Sequence, residues 1–254
     1  MSGTVRLPSP FQLVSLDSVD STNEEAKRRA EQGAADGTVV WSLSQSEGRG
    51  RRGATWVSEP GNLYCSILLR PHYPAPEAMR ISYVAAVAIA DALSAILPKS
   101  TYVTCKWPND ILIDGRKAAG ILMESSSTGS GKLDWLVVGM GVNISHYPEN
   151  TDFPATSLTR EGVERVTPED MLETLCNRFQ CWLVTWRNLG FAPVRRAWLE
   201  RAHGLGEAVT VRLPQETLEG LFETLDADGA LILRQNDGSR RIAAGEVYFQ
   251  SQKN

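Results

Sequence analysis

The chain reads as an α+β protein in which a larger region of mixed helices and strands precedes a small all-β module. Three observations carry this reading. A helix with start and stop signals at 23–32 is followed by strand patterns at 39–44 and 63–70. The pair Asp114-Gly115 before RKAAGILME is a strong two-residue hairpin signal. From Gly206 onward the pattern changes to short alternating strands separated by turn pairs. A length of 254 residues with 42% hydrophobic content is ample for one large core plus a smaller module. The boundary is placed near Leu205, giving regions 1–205 and 206–254.

Each element has its own signal. Ser21 or Thr22 would cap the first helix, with Glu24 and Glu25 three residues on in a capping-box pattern, and Gly33 suits the left-handed position past its end. Pro71, Pro74 and Pro76 break the chain after the strand at 63–70 and precede a long Ala-rich helix at 77–97, read as buried. Strands follow at 102–107 and 111–113, then the hairpin, then a strand at 135–142 after a Ser/Gly-rich turn. Thr167, Pro168 and Asp170 open a helix whose Met171, Leu172, Leu175, Phe179, Leu183 and Trp186 fall on one face, and Pro193 opens a shorter one ending near His203 and Gly204. In the last module Val209, Val211 and Leu213 alternate. Runs at 218–225, 231–233 and 245–249 complete a small β-barrel pattern.

A formal net charge of −4 argues against a protein that coats nucleic acid. Cys65, Cys105, Cys176 and Cys181 form no CxxC pair and no framework spacing, which reads as reduced thiols in a cytoplasm, with a disulfide as the minor alternative. The N-terminus has no apolar signal core, and no stretch approaches the roughly 18 apolar residues a membrane span requires, so no membrane partner is expected.

Against this acidic body, the run GRGRRG at 48–53 is a local positive spot. Arginine offers a rigid fork of donors suited to carboxylate or phosphate, and glycine lets the main chain approach a ligand at little steric cost, so the run reads as a flexible anion clamp. The same glycines satisfy G-x-G-x-x-G, but Gly53 runs into ATWVSEPGN, where Pro60, Gly61 and Asn62 form a turn instead of the helix a dinucleotide site needs. A solvated arginine loop is the plain alternative. KWPND, Lys106 to Asp110, is the second cluster. A two-residue turn at Asp114-Gly115 sets Leu112 opposite Lys117 and Asp110 opposite Ala119, placing Asp110 and Lys117 on one face of the ribbon. A surface ion pair of little consequence competes with an anion-holding lysine there. A strand interrupted by proline, however, is a poor choice for a plain ladder.

STNEEA from Ser21, Gln45 followed by GRGRRG and Trp56, GNLY from Gly61, KWPND, RKAAGILME from Arg116 and GVNIS from Gly141 together resemble the biotin protein ligases in order and spacing, over almost the whole chain. The resemblance implies a class II synthetase-like mixed sheet with helices on one side and a C-terminal SH3-like barrel. It implies two steps: biotin and Mg-ATP give biotinyl-5′-AMP and pyrophosphate, then a lysine of a biotin carboxyl carrier protein, from acetyl-CoA carboxylase or a related enzyme, is acylated. By that analogy Ser21, Thr22, Asn23, Gln45 and Gly120 read biotin together with Arg49, Gly50, Arg51 and Lys117. Arg51, Arg52, Trp56, Lys106, Asn109, Lys117 and Asn143 hold the adenylate, with Trp56 stacking on adenine or, alternatively, serving as plain core. Lys117, Arg51 and Arg49 are the catalytic cations. Asn109 and Asp110 are the candidates for Mg²⁺.

Ala54 departs from the family's usual basic residue after GRGRRG, so part of the loop's charge is missing. Only twenty residues precede Ser21, too few for the winged helix-turn-helix of repressor-type ligases, so no operator binding is expected. A monomer or weak homodimer is expected. Two alternatives stand beside the ligase: a lipoate or octanoyl transferase of related fold, which would need a nucleophilic cysteine or its equivalent, and a noncatalytic anion-binding module.

Overall fold

The structure, a computed structural model, describes residues 5–127, 132–149, 151 and 153–249. In chain order the larger region runs β1 (Gln12–Leu16), α1 (Thr22–Glu31), β2 (Thr38–Ser42), β3 (Leu63–Leu69), α2 (Ala75–Ala78), α3 (Ile81–Ile96), β4 (Val103–Lys106), β5 (Asp110–Ile113), β6 (Arg116–Ser127), β7 (Leu133–Val142), α4 (Pro168–Leu189) and α5 (Phe191–Leu199). Its seven strands lie in the order β1-β2-β3-β7-β6-β5-β4. Only β1 and β2 are parallel; every other neighbouring pair is antiparallel. The Ser/Gly-rich turn between β6 and β7 falls largely on residues 128–131, outside the described residues.

Strands covered on both faces lose the polar alternation of half-exposed ones, and β2 and β3 are buried at every position. One face of the sheet carries Val39, Cys65, Ile67 and Val138 into the main core, against the alanine-rich α3 and behind it α4 and α5. Alanines keep α3 close to the strands. On the opposite face α1 sets Ala26 and Ala30 against Val40, Leu68 and Val137, so helices cover both sides and not one alone. That short helix shields only part of its face, and the remainder is the floor of a cleft.

Several elements depart from the sequence reading for identifiable reasons. The Ala-rich helix begins earlier, at Ala75, and breaks at Met79 and Arg80. Contrary to expectation, the segment Ala75–Ile96 is long and apolar enough by composition to cross a membrane, but 61% of its most apolar window is buried within this fold. No capping box forms on α1: the Ser21 side chain makes no cap bond, and Thr22 is turned to other partners. The capping box occurs on α4, where Thr167 and Asp170 bond reciprocally. There the predicted apolar face is buried in full. Strands β1 and β11 escaped the pattern because β1 is a short edge strand and β11, GSRRI, is exposed at four of five positions.

The second sheet joins β8 (Ala208–Arg212), β9 (Thr217–Leu225), β10 (Leu231–Gln235), β11 (Gly238–Ile242) and β12 (Glu246–Phe249), all antiparallel, in the order β11-β10-β9-β8-β12. Its apolar face is continuous with the main core. Trp198 of α5 is the link, with ring centroids 5.7 Å from Tyr83 and 6.4 Å from Phe222. The Tyr83 hydroxyl donates to the Gly229 carbonyl in the β9–β10 turn. Trp198→Ala opens a cavity where both sheets meet; it is expected to lower stability by roughly 3–5 kcal/mol in denaturant titration, with both sheets melting earlier by far-UV and tryptophan signals alike.

Candidate active site

On the α1 side of the sheet, a cleft of about 550 Å³ lies between the start of α1, the loop at 48–56, the hairpins of β4, β5 and β6, and the first residues of β12. The first set of groups in it is neutral. The backbone N–H and the hydroxyl of Thr22 donate to Gln45 Oε1 at 2.8 and 3.1 Å. Ser66 Oγ on β3, fully buried, lies 2.8 Å from Thr22 Oγ1 and 2.6 Å from Asn23 Oδ1. Asn23 Nδ2 donates to Glu124 Oε2 at 2.8 Å. Burial raises the proton affinity of Glu124, but hydrogen bonds from Lys27 and Asn23 and the charges of Lys27 and Arg49 outweigh it and hold the carboxyl below the usual glutamate value. The Asn23 amide is thereby fixed by a charged acceptor.

The floor beneath is bare by necessity. A Cβ at Gly139 would sit 2.1 Å from Asn23 Oδ1, and one at Gly141 would sit 2.7 Å from the Trp56 indole. Gly141 pairs with Gly120 across β6 and β7, so the indole lies over two adjacent residues without side chains.

The second set is cationic. KWPND is not an interrupted strand but the turn of the β4–β5 hairpin, so Lys106 and Asp110 stand opposite one another, Nζ to Oδ2 at 3.7 Å. Trp107 at the turn is buried, and its indole N–H donates to the Tyr83 hydroxyl at 3.1 Å, which pins the turn to the core. Asp114 and Gly115 both have positive φ, as a type I′ turn requires. Leu112 faces Lys117 as expected. Asp110, however, pairs with Gly120 and not Ala119, because a bulge between Ile111 and Leu112 adds one residue to β6. Lys117 still reaches Asp110, Nζ to Oδ1 at 2.7 Å, and its ammonium lies 5.3 Å from the Trp56 ring centroid. Lys106 is buried at 8% exposure and lies 4.3 Å from the Phe153 ring centroid. Burial pushes the Lys106 ammonium below the ordinary lysine value against the pull of Asp110, and Lys117 adds to the lowering.

The arginine loop has a defined shape. Trp56 N donates to the Gly48 carbonyl at 2.9 Å and Gly50 N to the Ala54 carbonyl at 2.6 Å, closing a stem around a single 3₁₀ turn at Arg51–Gly53. Its first glycine is required by sterics: a Cβ at Gly48 would lie 2.2 Å from the Trp56 carbonyl and 2.4 Å from Ser58 Oγ. The three arginines go to three places. Arg49, half exposed, pairs with Glu24 and comes within 4.0 Å of Glu124. Arg51 donates to Asn109 Oδ1 at 3.1 Å, and burial together with neighbouring Arg52 lowers its guanidinium below the usual arginine value. Arg52, which does not itself line the cleft, pairs with Glu246 on its β12 wall, at 3.2 Å.

Apart from Arg52, each residue singled out from the sequence lines this one cleft, Ser21 and Asn143 included. Asn143 is buried, with Nδ2 donating to the Thr156 carbonyl at 3.0 Å. The sequence reading missed Ser58, Ser66, Tyr64 and Glu124, and also Phe153, Glu246 and Tyr248. Ser58 follows Trp56 by two residues, a spacing that signals a shared loop stem. Tyr64 and Glu124 lie within GNLY and RKAAGILME but were not singled out there, and Ser66, Phe153, Glu246 and Tyr248 carry no local signal.

The proposed metal pair fits poorly. Asn109 Oδ1 accepts from Arg51 and its Nδ2 donates to the Ile121 carbonyl, while the Asp110 carboxylate lies between two lysines, so a divalent cation would face three positive side chains. Among the described residues no group of three or more His, Cys, Asp and Glu is placed to hold a metal. A thiol nucleophile is also disfavoured: burial raises Cys65 well above the usual thiol range and pushes Cys105 up to about 12.

Two family models match the chain, the Biotin/lipoate A/B protein ligase family over residues 7–200 and the Biotin protein ligase C terminal domain over residues 204–250. A biotin–(acetyl-CoA-carboxylase) ligase of Paracoccus denitrificans is 41% identical over 239 residues, which are 92% of this chain and 99% of that one. The biotin protein ligase of Aquifex aeolicus, solved in complex with biotin and ATP, matches with a TM-score of 0.81 at 28% identity, covering 93% of this chain and 97% of that one. That of Leishmania major, in complex with biotinyl-5-AMP, matches with a TM-score of 0.64 at 26% identity, covering 93% of this chain and 100% of that one.

The depressed Lys106 has a pH signature. Its charge is lost at lower pH than that of a solvated lysine, near 10.4, so affinity for an anionic adenylate analogue is expected to fall with rising pH before ordinary lysines titrate. Calorimetric titrations at a series of pH values should show this fall in the wild type and its displacement to higher pH in Lys106→Arg.

Proposed function

The chain belongs to the biotin protein ligase family, and from that premise we infer how its cleft carries out the reaction. The protein is an ATP-dependent biotin ligase: it activates biotin to biotinyl-5′-AMP with release of pyrophosphate and passes the biotinyl group to a lysine of a biotin carboxyl carrier domain. The observation that supports the residue roles best is the pairing, in one cleft, of a neutral hydrogen-bonding set with a cationic set held around Asp110.

Biotin has an uncharged ureido end and a carboxylate end. Thr22, Asn23 and Gln45, with Ser21 beside them, supply donors and acceptors without net charge for the first. For the second, the obstacle is repulsion between the carboxylate and the α-phosphate of ATP as they come within bonding distance. Preorganised cations lower that barrier because they need not reorient as charge develops. Lys117, on a rigid hairpin and fixed by Asp110, is assigned to the charge at the α-phosphate, and Lys106 adds positive potential from behind. Arg51 and Arg49 are assigned to the carboxylate and the phosphates, Gly50 to a main-chain approach, and Trp56 to stacking on adenine above Gly120 and Gly141. Asn109 and Asn143 shape the nucleotide side, and Arg52 braces the loop against Glu246. In the second step the acceptor amine attacks the carbonyl of the mixed anhydride and AMP leaves, so no protein nucleophile and no covalent enzyme intermediate are required. Acetyl-CoA carboxylase or a related carboxylase is the proposed source of the acceptor. Four free cysteines support a reducing, cytoplasmic setting.

Biotin-dependent exchange of pyrophosphate into ATP, followed by labelling of a carrier domain, tests this function; folded protein with no exchange would refute it. A second prediction concerns the loop. Arg51→Gly removes the loop's contact with Asn109 and is expected to release adenylate and label lysines of bystander proteins, read by blotting for biotin. If the variant releases no more adenylate than the wild type, the loop does not retain the intermediate.

A further inference from the structure

Ser58 is buried, lies outside the wall of the cleft, and touches two of its parts at once. Its hydroxyl accepts from Gln45 Nε2 at 2.8 Å and donates to the Trp56 carbonyl at 2.8 Å. Its own carbonyl accepts from Gln45 N at 3.1 Å, so the same residue holds the main chain of Gln45 as well as its amide. A hydroxyl has one hydrogen and two lone pairs, and both capacities are used here; alanine offers neither and cysteine offers weak versions of each. Because Gln45 Oε1 accepts twice from Thr22, the bond to Ser58 takes one hydrogen of Nε2 and leaves the other for a ligand.

The Trp56 carbonyl and Ser58 Oγ also press on Gly48, where the loop begins, and Trp56 N closes the stem on the Gly48 carbonyl. A path of hydrogen bonds thus runs from Thr22, with Ser66 and Asn23 packed beside it, through Gln45 and Ser58 to the base of the arginine loop and the main chain that carries the Trp56 indole. We propose that Ser58 is a positioning residue that couples occupancy of the neutral biotin pocket to the placement of Trp56, so that each substrate strengthens the binding of the other. This rests on the ligase reading above. Coupling of this kind is reciprocal: the factor by which a nucleotide tightens biotin equals the factor by which biotin tightens the nucleotide.

The test measures biotin Kd by calorimetry with and without a non-hydrolysable ATP analogue, in the wild type, Ser58→Ala and Ser58→Cys, with thermal melting as a check on folding. The wild type is expected to bind biotin more tightly when the analogue is present. In Ser58→Ala, biotin affinity is expected to fall about tenfold, as for loss of one buried hydrogen bond, and the ratio of the two Kd values to move most of the way to one. Ser58→Cys should lie between. A merely structural serine would lower the melting temperature and leave the ratio unchanged, and that result overturns the proposal. Should Ser58→Ala not fold, an unchanged ratio in Ser58→Cys overturns it equally. A wild type that binds no biotin would instead refute the ligase reading and this inference with it, whereas coupling in the wild type that survives in the variants refutes the role of Ser58 alone.

Discussion

The Asp110 carboxylate lies between two ammonium groups, Lys117 at 2.7 Å and Lys106 at 3.7 Å, and the charge of the cleft depends on that arrangement. Two lysines brought into one partly buried site repel each other and lose solvation; a shared carboxylate lets both remain while leaving the cluster with net positive charge. Two hairpins bring the three groups together. The β4–β5 turn sets Lys106 against Asp110, the Asp114-Gly115 turn returns Lys117, and the bulge in β6 re-aims the strand between them. Trp107 ties the first turn to the Tyr83 hydroxyl and so to the core that both sheets share.

Around this fixed charge the rest of the cleft divides into a rigid half and a half that can respond. The neutral pocket is built on the buried start of α1 and on β3 and β7, and glycines at 139 and 141 make room for Asn23 and Trp56 against the strands. The arginine loop rests on a short stem and a single turn, and its side chains bond to three different parts of the protein, Glu24, Asn109 and Glu246. A loop held by separate, partly exposed contacts can exchange them for ligand anions at modest cost, since each exposed pair contributes little.

Most of the fold was legible because its signals were local: the Asp114-Gly115 turn, the apolar face of α4 and the alternation of the last module. The cleft was legible as a set of residues, because its motifs lie in sequence order along the strands that build it. What remained hidden depended on contacts distant in sequence. The STNEEA hydroxyls look like helix caps until Gln45 and Ser66 are brought beside Thr22. KWPND looks like a broken strand until the register shows a hairpin. The bulge that moves Asp110 from Ala119 to Gly120 leaves no local mark, and nothing near Glu246 or Tyr248 announces that the second sheet closes one wall of the cleft.

The central claim, that a lysine fixed by a carboxylate supplies the decisive charge for joining two anions, is tested most directly by single-turnover adenylate formation in Lys117→Met. Loss of one preorganised charged donor is expected to slow adenylation by roughly 10²–10³-fold, while biotin, read mainly by the neutral set, still binds. A rate within about tenfold of the wild type, a loss of no more than about 1.4 kcal/mol of transition-state stabilisation, would contradict the account.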